Sequence, residues 1–515
     1  MGARAELGRA AGRLRAPAML TAIAAIVLAA LLLGGCSLAG DGEPIIVPKA
    51  QRGEPVDLDV LVYNVEYGGG PATDRVIREL DADVVGVLES YERLPEIARR
   101  TGYPYYNTSL QLLSKYPIHE PSGGDGLYAL LEVEPGYVVP FFNDHLDYVD
   151  WGPRALAGGD SVESVIATEN EVRTAALERP LAAIGRLVDA GYPVFLTGDF
   201  NEPSSLDYGA DTIGTREGID EPVPWPVSEK LLDLGFRDSY REVHPDPVAV
   251  PGETHESGER IDYVYAAGPS TTLDSRLVGE PGGEDVDIGF APWTSDHRAV
   301  LSSFVVAPVR MPTLVAVDAR LADVGDPITI RWNNPEQGGN EIAIVPAGGD
   351  PGQPLKTIEA PDPSGTAQLD TAGWDPGPYE AVLVAGGSGA ELARVAIDLR
   401  DPDAELELTT DRRIYGRGEP IEVAWTGAPA NRWDWLGVFR AAAADPAADD
   451  YLIWGYTGGH AAGTVPPSTT GAATLGPESQ GAPWPLPAGR YIVHYLLADQ
   501  YESAGSAAFS VRGGG

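Results

Sequence analysis

Apolar and polar positions alternate where the folded part of the chain begins. Leu58, Val60 and Val62 face one way and Asp59, Leu61 and Tyr63 the other, which predicts a strand running into Asn64-Val-Glu66-Tyr-Gly-Gly-Gly70. Val76, Ile77 and Leu80 then fall on one helical face, with Thr73 or Asp74 placed to cap it. Asp81 to Glu89 reads as a second, buried strand that ends in a carboxylate. Strand, helix, strand predicts an α/β domain. Leu112 to Ile118 is a strand with a proline-limited turn, and Tyr137 to Phe142 is a strand ending in Asn143-Asp144-His145. Residues 150–170 are polar and read as a loop. Leu177, Leu181, Ile184 and Val188 predict a helix from about Val172 to Ala190, which Pro180 kinks or starts. Val194-Phe-Leu196 is a short apolar strand running into Thr197-Gly-Asp199-Phe-Asn201. Residues 202–229 read as a long loop. Arg260 to Tyr265 is a strand with an inward acid, and Trp293 to Arg298 precedes a strand from Ala299 to Val306.

Near residue 308 the pattern changes to short alternating strands separated by turn signals. Residues 312–400 and 404–513 read as two divergent copies of one β unit. Asp326-Pro-Ile-Thr-Ile-Arg-Trp332 parallels Glu419-Pro-Ile-Glu-Val-Ala-Trp425, and Gly377-Pro-Tyr379 parallels Gly489-Arg-Tyr491. About a hundred residues each suits an immunoglobulin-like sandwich. Trp433-Asp-Trp435-Leu-Gly-Val-Phe439 loosely resembles a motif of SKICH-type sandwiches. No residue cluster in either copy has metal or catalytic spacing.

Composition adds where the chain works. Acidic residues number 76 against 36 basic, for a formal net charge of −40, and only four residues are Lys. Such a surface argues against tight non-specific binding to nucleic acid, which needs cations at phosphates. It does not exclude metal-assisted attack on a phosphate ester. One cysteine excludes an intrachain disulfide. That cysteine closes a leader-like segment: Arg4, Arg9, Arg13 and Arg15, the apolar run Ala18 to Leu33, then Leu33-Gly-Gly-Cys36. The ending resembles the lipobox of bacterial lipoproteins, in which Cys36 is lipidated and begins the mature protein. An uncleaved N-terminal anchor is the other reading, and either puts the rest of the chain outside the cytoplasm. The expected organisation is a signal peptide over 1–36, a Gly/Pro-rich tether over 37–56, a catalytic domain over 57–308 and sandwiches over 312–400 and 404–513.

Residues two apart at a pleated strand end point the same way, so Asp199 and Asn201 are expected to face one site as proton handler and oxygen holder. Asn64/Glu66, Glu89, His145 and Asp296/His297 are further strand-end groups suited to metal or phosphate chemistry, with Asp262 an additional acid.

In this company, Asn64-x-Glu66, Leu88-Glu89, Ser114-Lys-Tyr-Pro-Ile118, Asp144-His-Leu146, Gly198-Asp-Phe-Asn201, Arg260-Ile-Asp-Tyr263 and Ser295-Asp-His297 resemble the endonuclease/exonuclease/phosphatase superfamily. The resemblance spans about residues 57–306. It implies a four-layer α/β sandwich, two packed mixed β-sheets flanked by helices, that cleaves phosphoester bonds with a divalent cation: usually Mg²⁺, with Mn²⁺ or Ca²⁺ as alternatives. It implies Asn64, Glu66, Glu89 and Asp296 as the metal group, with Glu89 the principal ligand. Asp199 then orients or deprotonates water and Asn201 holds a phosphate oxygen. His297 contacts phosphate with Asp262 behind it, and His145 meets phosphate or the leaving oxygen. The chain departs from the family pattern at Asn107-Thr-Ser-Leu-Gln-Leu, where a Gly-rich approach is usual.

Arg154 and Arg173 are expected to touch substrate. His255 lines the pocket or has an ordinary loop role, and Arg298 meets a phosphate or pairs with surface acids. The expected substrate is a phosphoester, whether nucleic acid, phospholipid or small phosphate ester, and the expected membrane contact is the lipid at Cys36. No protein partner is predictable from the sequence. The alternative is a non-catalytic cell-surface binding protein built on a degenerate scaffold.

Overall fold

The computed structural model describes residues 48–513 apart from 125, 217, 443–445, 449 and 459–467. The expected signal peptide and Cys36 lie outside the described residues.

Two mixed sheets pack face to face. The first contains β1 (Val56–Asn64), β2 (Val84–Leu88), β3 (Tyr105–Asn107) and β4 (Leu112–Ser114). The second begins with β5 (Ile118–Pro121), β6 (Ala129–Glu134), β7 (Tyr137–His145), β8 (Val194–Asp199), β9 (Arg237–Asp238) and β10 (Asp262–Ala267). The chain then returns to the first sheet through β11 (Ser270–Gly279), β12 (Val286–Gly289) and β13 (Ala299–Val306), giving the order β12-β11-β13-β1-β2-β4-β3. The second sheet runs β5-β6-β7-β8-β10-β9.

Period-two alternation along β1 explains the layering. Leu58, Val60 and Val62 point between the sheets, where they join Phe141, Phe195 and Phe304. Leu61 and Tyr63 point outward and are covered by Val76 and Ile77 of α1 (Pro71–Leu80) and by Leu94 and Ile97 of α2 (Leu94–Thr101). On the far side, Val194 and Leu196 pack under Ile184 and Leu187 of a helix over Glu178–Asp189. Helix, sheet, sheet and helix make the four layers expected. Two faces of each sheet are thereby buried, and burial at about 25 cal/mol per Å² is the main force holding the layers.

The region expected as a loop over 150–170 instead holds helices at Gly152–Ala157 and Val162–Glu169. Ser161 caps the second, its Oγ accepting the Ser164 N–H at 3.2 Å. The helix expected from Val172 to Ala190 is in two pieces: a π-helical turn over Asn170–Thr174 continues the preceding helix, and a new helix runs over Glu178–Asp189, with Pro180 in its first turn, where a missing N–H costs nothing. Residues 202–229 are broken by short 3₁₀ turns at Ser205–Asp207 and Ala210–Thr212 and enter a helix at Pro226. The described end of the expected tether is bound to the domain: Ala50 N–H donates to Ala190 O at 2.8 Å and Gly53 N–H to Pro308 O at 2.7 Å.

Two all-β sandwiches follow. In the first, Leu314–Val317, Ile328–Asn333 and Ser364–Leu369 face a five-stranded sheet. In the second, Glu407–Thr410, Ile421–Thr426 and Gly471–Leu475 face a six-stranded sheet. The two repeats found in sequence take equivalent places, Ile328–Asn333 and Ile421–Thr426 each being central in a three-stranded row. Leu314–Val317 also pairs with β5, Ala316 opposite Pro121 and Val317 opposite Glu120, so one sheet runs from the α/β domain into the first sandwich. Arg331 of that sandwich holds Glu132 of β6 at 3.1 Å. The described residues form a single compact unit.

Candidate active site

Register builds the site. β7 and β8 run parallel with His145 opposite Asp199, and β8 and β10 run antiparallel with Asp199 opposite Asp262. Three ionisable side chains therefore lie in one row across three strands. Gly198 permits this: a Cβ there would sit 2.1 Å from Asp144 O. Its role is close approach of β7 rather than an unusual φ. Gly86 does the same between the sheets, where a Cβ would lie 2.2 Å from Thr197 Oγ1.

Asp199 is the hub. Its Oδ1 accepts the Asn201 N–H at 3.0 Å and its Oδ2 accepts Asn64 Nδ2–H at 3.1 Å. Oδ2 also lies 3.5 Å from His145 Nε2 and 3.6 Å from His297 Nε2. His297 Nδ1 meets Asp262 Oδ2 at 2.8 Å. Ser295 fixes the backbone of that residue, its Oγ accepting the His297 main-chain N–H and donating to Asn64 O. Burial alone would lower the His297 pKa, but the carboxylates of Asp262 and Asp199 overcome it and raise it to about 10. The proton of the Asp262–His297 pair belongs on His297, because Asp199 faces it too. The imidazolium so formed directs Nε2–H into the site.

Asn201 lies just past the strand at φ 47°, so a left-handed turn, not the pleat, turns its amide inward. Its Nδ2 donates to Leu146 O at 2.9 Å and lies 3.3 Å from His145 Nε2. In this arrangement the amide steadies His145.

Glu89 adjoins this cluster. Its Oε1 accepts Asn64 Nδ2–H at 3.0 Å, so one amide ties Glu89 to Asp199. Its Oε2 accepts from Tyr67 N–H at 3.1 Å and Tyr91 O–H at 3.2 Å. Glu66 Oε2 accepts the Asp296 N–H at 3.1 Å, and Asn64 Oδ1 accepts the Glu66 N–H at 3.0 Å. Burial, then repulsion from Asp296 and Glu89, pushes the Glu66 carboxyl up. Among the described residues no Lys or Arg forms an ion pair with Glu66, Glu89 or Asp296. The carboxylates of Glu66, Glu89 and Asp296 repel one another, and carboxylate oxygens are the donors a hard divalent ion takes, while Asn64 turns its Nδ2–H to Glu89 and its Oδ1 to the Glu66 N–H. The tightest donor groups are His255–Asp296–His297 and Asp199–Asp262–His297. In the second, two of the three donors are spent on each other, which suits acid–base work better than metal binding.

A cleft of about 630 Å³ opens beside Glu89 and His145. Its other walls come from the α/β domain, including Tyr91, Glu92, Tyr105 and Gln111, and from the sandwiches, including Asp318, Asn431, Arg432, Trp433 and Asp499.

His255 stands at the edge of the cluster, its ring centroid 4.6 Å from that of His297 and its Nε2 3.8 Å from Asp296 Oδ2. The expected arginines are not brought there. Arg173 is wholly buried and bonded to Glu169 Oε2 at 2.7 Å and Val149 O at 3.0 Å, so it is a structural cation. Arg298 pairs with Glu280 through Nε at 3.0 Å and with Glu253 O at 3.1 Å. Arg154 is an exposed residue of the helix over Gly152–Ala157 and is absent from the cleft lining. Sequence reading missed Tyr67 and Tyr91, which hold Glu89, and Thr254, whose Oγ1 accepts the Asp262 N–H at 3.1 Å. A Thr before His255 was visible, but its partner was not.

Residues 61–297 match the model of the Endonuclease/Exonuclease/phosphatase family. That match supports a phosphoester-hydrolase activity. Uncharacterized protein F14F9.5 of Caenorhabditis elegans is 27% identical over 240 residues, which are 40% of this chain and 75% of that protein. A crystal structure of an endonuclease/exonuclease/phosphatase family protein from Bacteroides thetaiotaomicron is 16% identical, covering 49% of this chain and 96% of that one at a TM-score of 0.27. Danio rerio TDP2, complexed with single-strand DNA product, is 14% identical, covering 48% and 98% at a TM-score of 0.28.

Proposed function

We propose that the chain is an extracytoplasmic, lipid-anchored phosphoesterase that works with a divalent cation, Mg²⁺ or in its place Mn²⁺ or Ca²⁺. The observation that carries the reading is Asp199 Oδ2 lying between His145 and His297, with Asn64 linking it to Glu89. Asp199 orients the attacking water and takes its proton. His297, held cationic by Asp262, donates Nε2–H to a phosphate oxygen. His145 lies on the other side of Asp199 and serves the leaving oxygen, with Asn201 steadying its ring. Glu89, Glu66, Asn64 and Asp296 would hold the cation, which supplies charge withdrawal at the phosphate when bound.

The N-terminal Leu33-Gly-Gly-Cys36 supports anchoring. The net charge of −40 weighs against duplex nucleic acid and favours a smaller ester. The test is a substrate panel with added Mg²⁺: duplex DNA, RNA, sphingomyelin, an inositol phosphate and bis-p-nitrophenyl phosphate. Turnover of any one, lost on exhaustive EDTA treatment, supports the reading. No turnover of any would favour a binding protein instead.

A further inference from the structure

We propose that the second sandwich is a working part of the active site, with Arg432 the positioning residue for the strand end that carries His145. The inference rests on the phosphoesterase reading for its kinetic arm only.

Arg432 is 288 positions from Asp144 in sequence, yet its guanidinium enters the α/β domain and pairs with Asp144 Oδ1. Its Nη1 donates to Asn143 O at 3.0 Å. Both side chains of the pair are about 95% buried. Asn143 and Asp144 are the two residues before His145 on β7. Asn143 in turn donates through Nδ2 to Leu110 O at 3.0 Å, tying β7 to the segment before β4. A fork with two fixed donors is suited to holding a strand end in register, which a single ammonium cannot reproduce. The fork is itself held, stacked 4.9 Å over the Trp433 ring.

The same sandwich walls the cleft above Glu89 and His145. Asn431, Trp433 and Asp499 line it opposite the two, and Asn431 Nδ2 reaches Glu92 Oε1 at 3.3 Å. The loop is braced from within: Asp434 accepts from the N–H groups of Asn431 at 2.9 Å and Ala498 at 2.8 Å. A cleft of about 630 Å³ closed on this side has the size of small-ligand pockets.

The test uses the full chain with Arg432→Ala, Arg432→Lys and, as a control, Val493→Ala in the core of the same sandwich. Expected is a tenfold or greater fall in kcat on bis-p-nitrophenyl phosphate for Arg432→Ala, with KM changed less than threefold and only partial rescue by Lys. Val493→Ala should lower the melting temperature while kcat stays within twofold. The second readout needs no turnover: the His145 ring resonance in ¹³C-histidine-labelled protein, assigned with His145→Gln, should shift in Arg432→Ala and not in Val493→Ala. An unmoved His145 resonance overturns the proposal, as does a kcat within twofold of wild type in Arg432→Ala. An equal kcat loss in Val493→Ala overturns it too. If the wild type hydrolyses nothing, the phosphoesterase reading fails while the resonance still decides the role of Arg432.

Discussion

Asp199 and Asp262 are register partners on neighbouring antiparallel strands, and the His297 ring bridges them, 2.8 Å from Asp262 and 3.6 Å from Asp199. One ring thus joins a fully buried carboxylate to the one that faces the reaction. The two carboxylates divide the chemistry between them. On the proposed reading Asp262 keeps the ring charged and oriented, and Asp199 handles water.

Asp199→Asn isolates the handling of water. The amide keeps an oxygen for the Asn201 N–H but cannot take a proton. Hydrolysis should fall by ~10² or more. The melting temperature should move by only a few degrees, since volume and the hydrogen bond from the Asn201 N–H survive. Paired kinetics and calorimetry check this, and near-normal turnover would remove Asp199 from the water-handling role.

Glu89→Gln tests the metal group. An ion that binds only the folded chain stabilises it by RT ln(1 + [L]/Kd), about 2.7 kcal/mol at a hundredfold excess over Kd. Mg²⁺ or Mn²⁺ should therefore raise the melting temperature of the wild type, and EDTA should reverse the rise. In Glu89→Gln the rise should be largely gone at the same concentration, because the best-buttressed carboxylate has lost its charge. An undiminished rise in the variant would place the ion elsewhere.

Much of this site was legible in sequence because its residues sit at strand ends, and strand ends announce themselves by apolar runs that stop. His145, Asp199 and Asp262 each close or open such a run, so their convergence followed once two sheets were assumed. The arginines were not legible in the same way. Arg173 looks like a cation flanking a loop and free to face substrate, but that loop is helical, and an (i, i+4) partner in Glu169 claims it. Arg432 carries no local signal, since its partner Asp144 is met only when the second sandwich folds back. Likewise nothing in the expected tether hinted that residues 50–53 bind to the domain through backbone groups, which any sequence can supply.

The junction between the α/β domain and the first sandwich should loosen in acid. Burial would raise the Glu132 carboxyl, but hydrogen bonds from His119 and Arg331 and from the Gly136 N–H overcome it and hold it down at about 2. A carboxyl lowered in the folded state contributes stability above its unfolded value, near 4.5, and loses it as pH falls toward 2. The contribution is on the order of 3 kcal/mol. Wild-type stability should therefore fall steeply between pH 4.5 and 2, and Glu132→Gln should remove part of that slope while lowering stability at pH 7. Denaturation at a series of pH values checks both, and parallel slopes in the two proteins would mean that the ion pair contributes nothing.

Gly198→Ala links packing to chemistry. An added Cβ would lie 2.1 Å from Asp144 O, closer than real Cβ atoms approach anything, and the obstacle is backbone rather than a flexible side chain. β7 and β8 must then separate where His145 opposes Asp199. Overpacking of a buried strand pair typically costs 1–3 kcal/mol, and a clash with backbone belongs at or above the upper end, so about 3 kcal/mol is expected. Widening the His145–Asp199 distance beyond its 3.5 Å should also lower turnover in the fraction that stays folded. Urea denaturation gives the first quantity, and kcat measured well below the melting temperature gives the second. Loss of stability with unchanged kcat would show that the two strands can part without disturbing the catalytic pair, and would weaken the case that their register sets the geometry of the site.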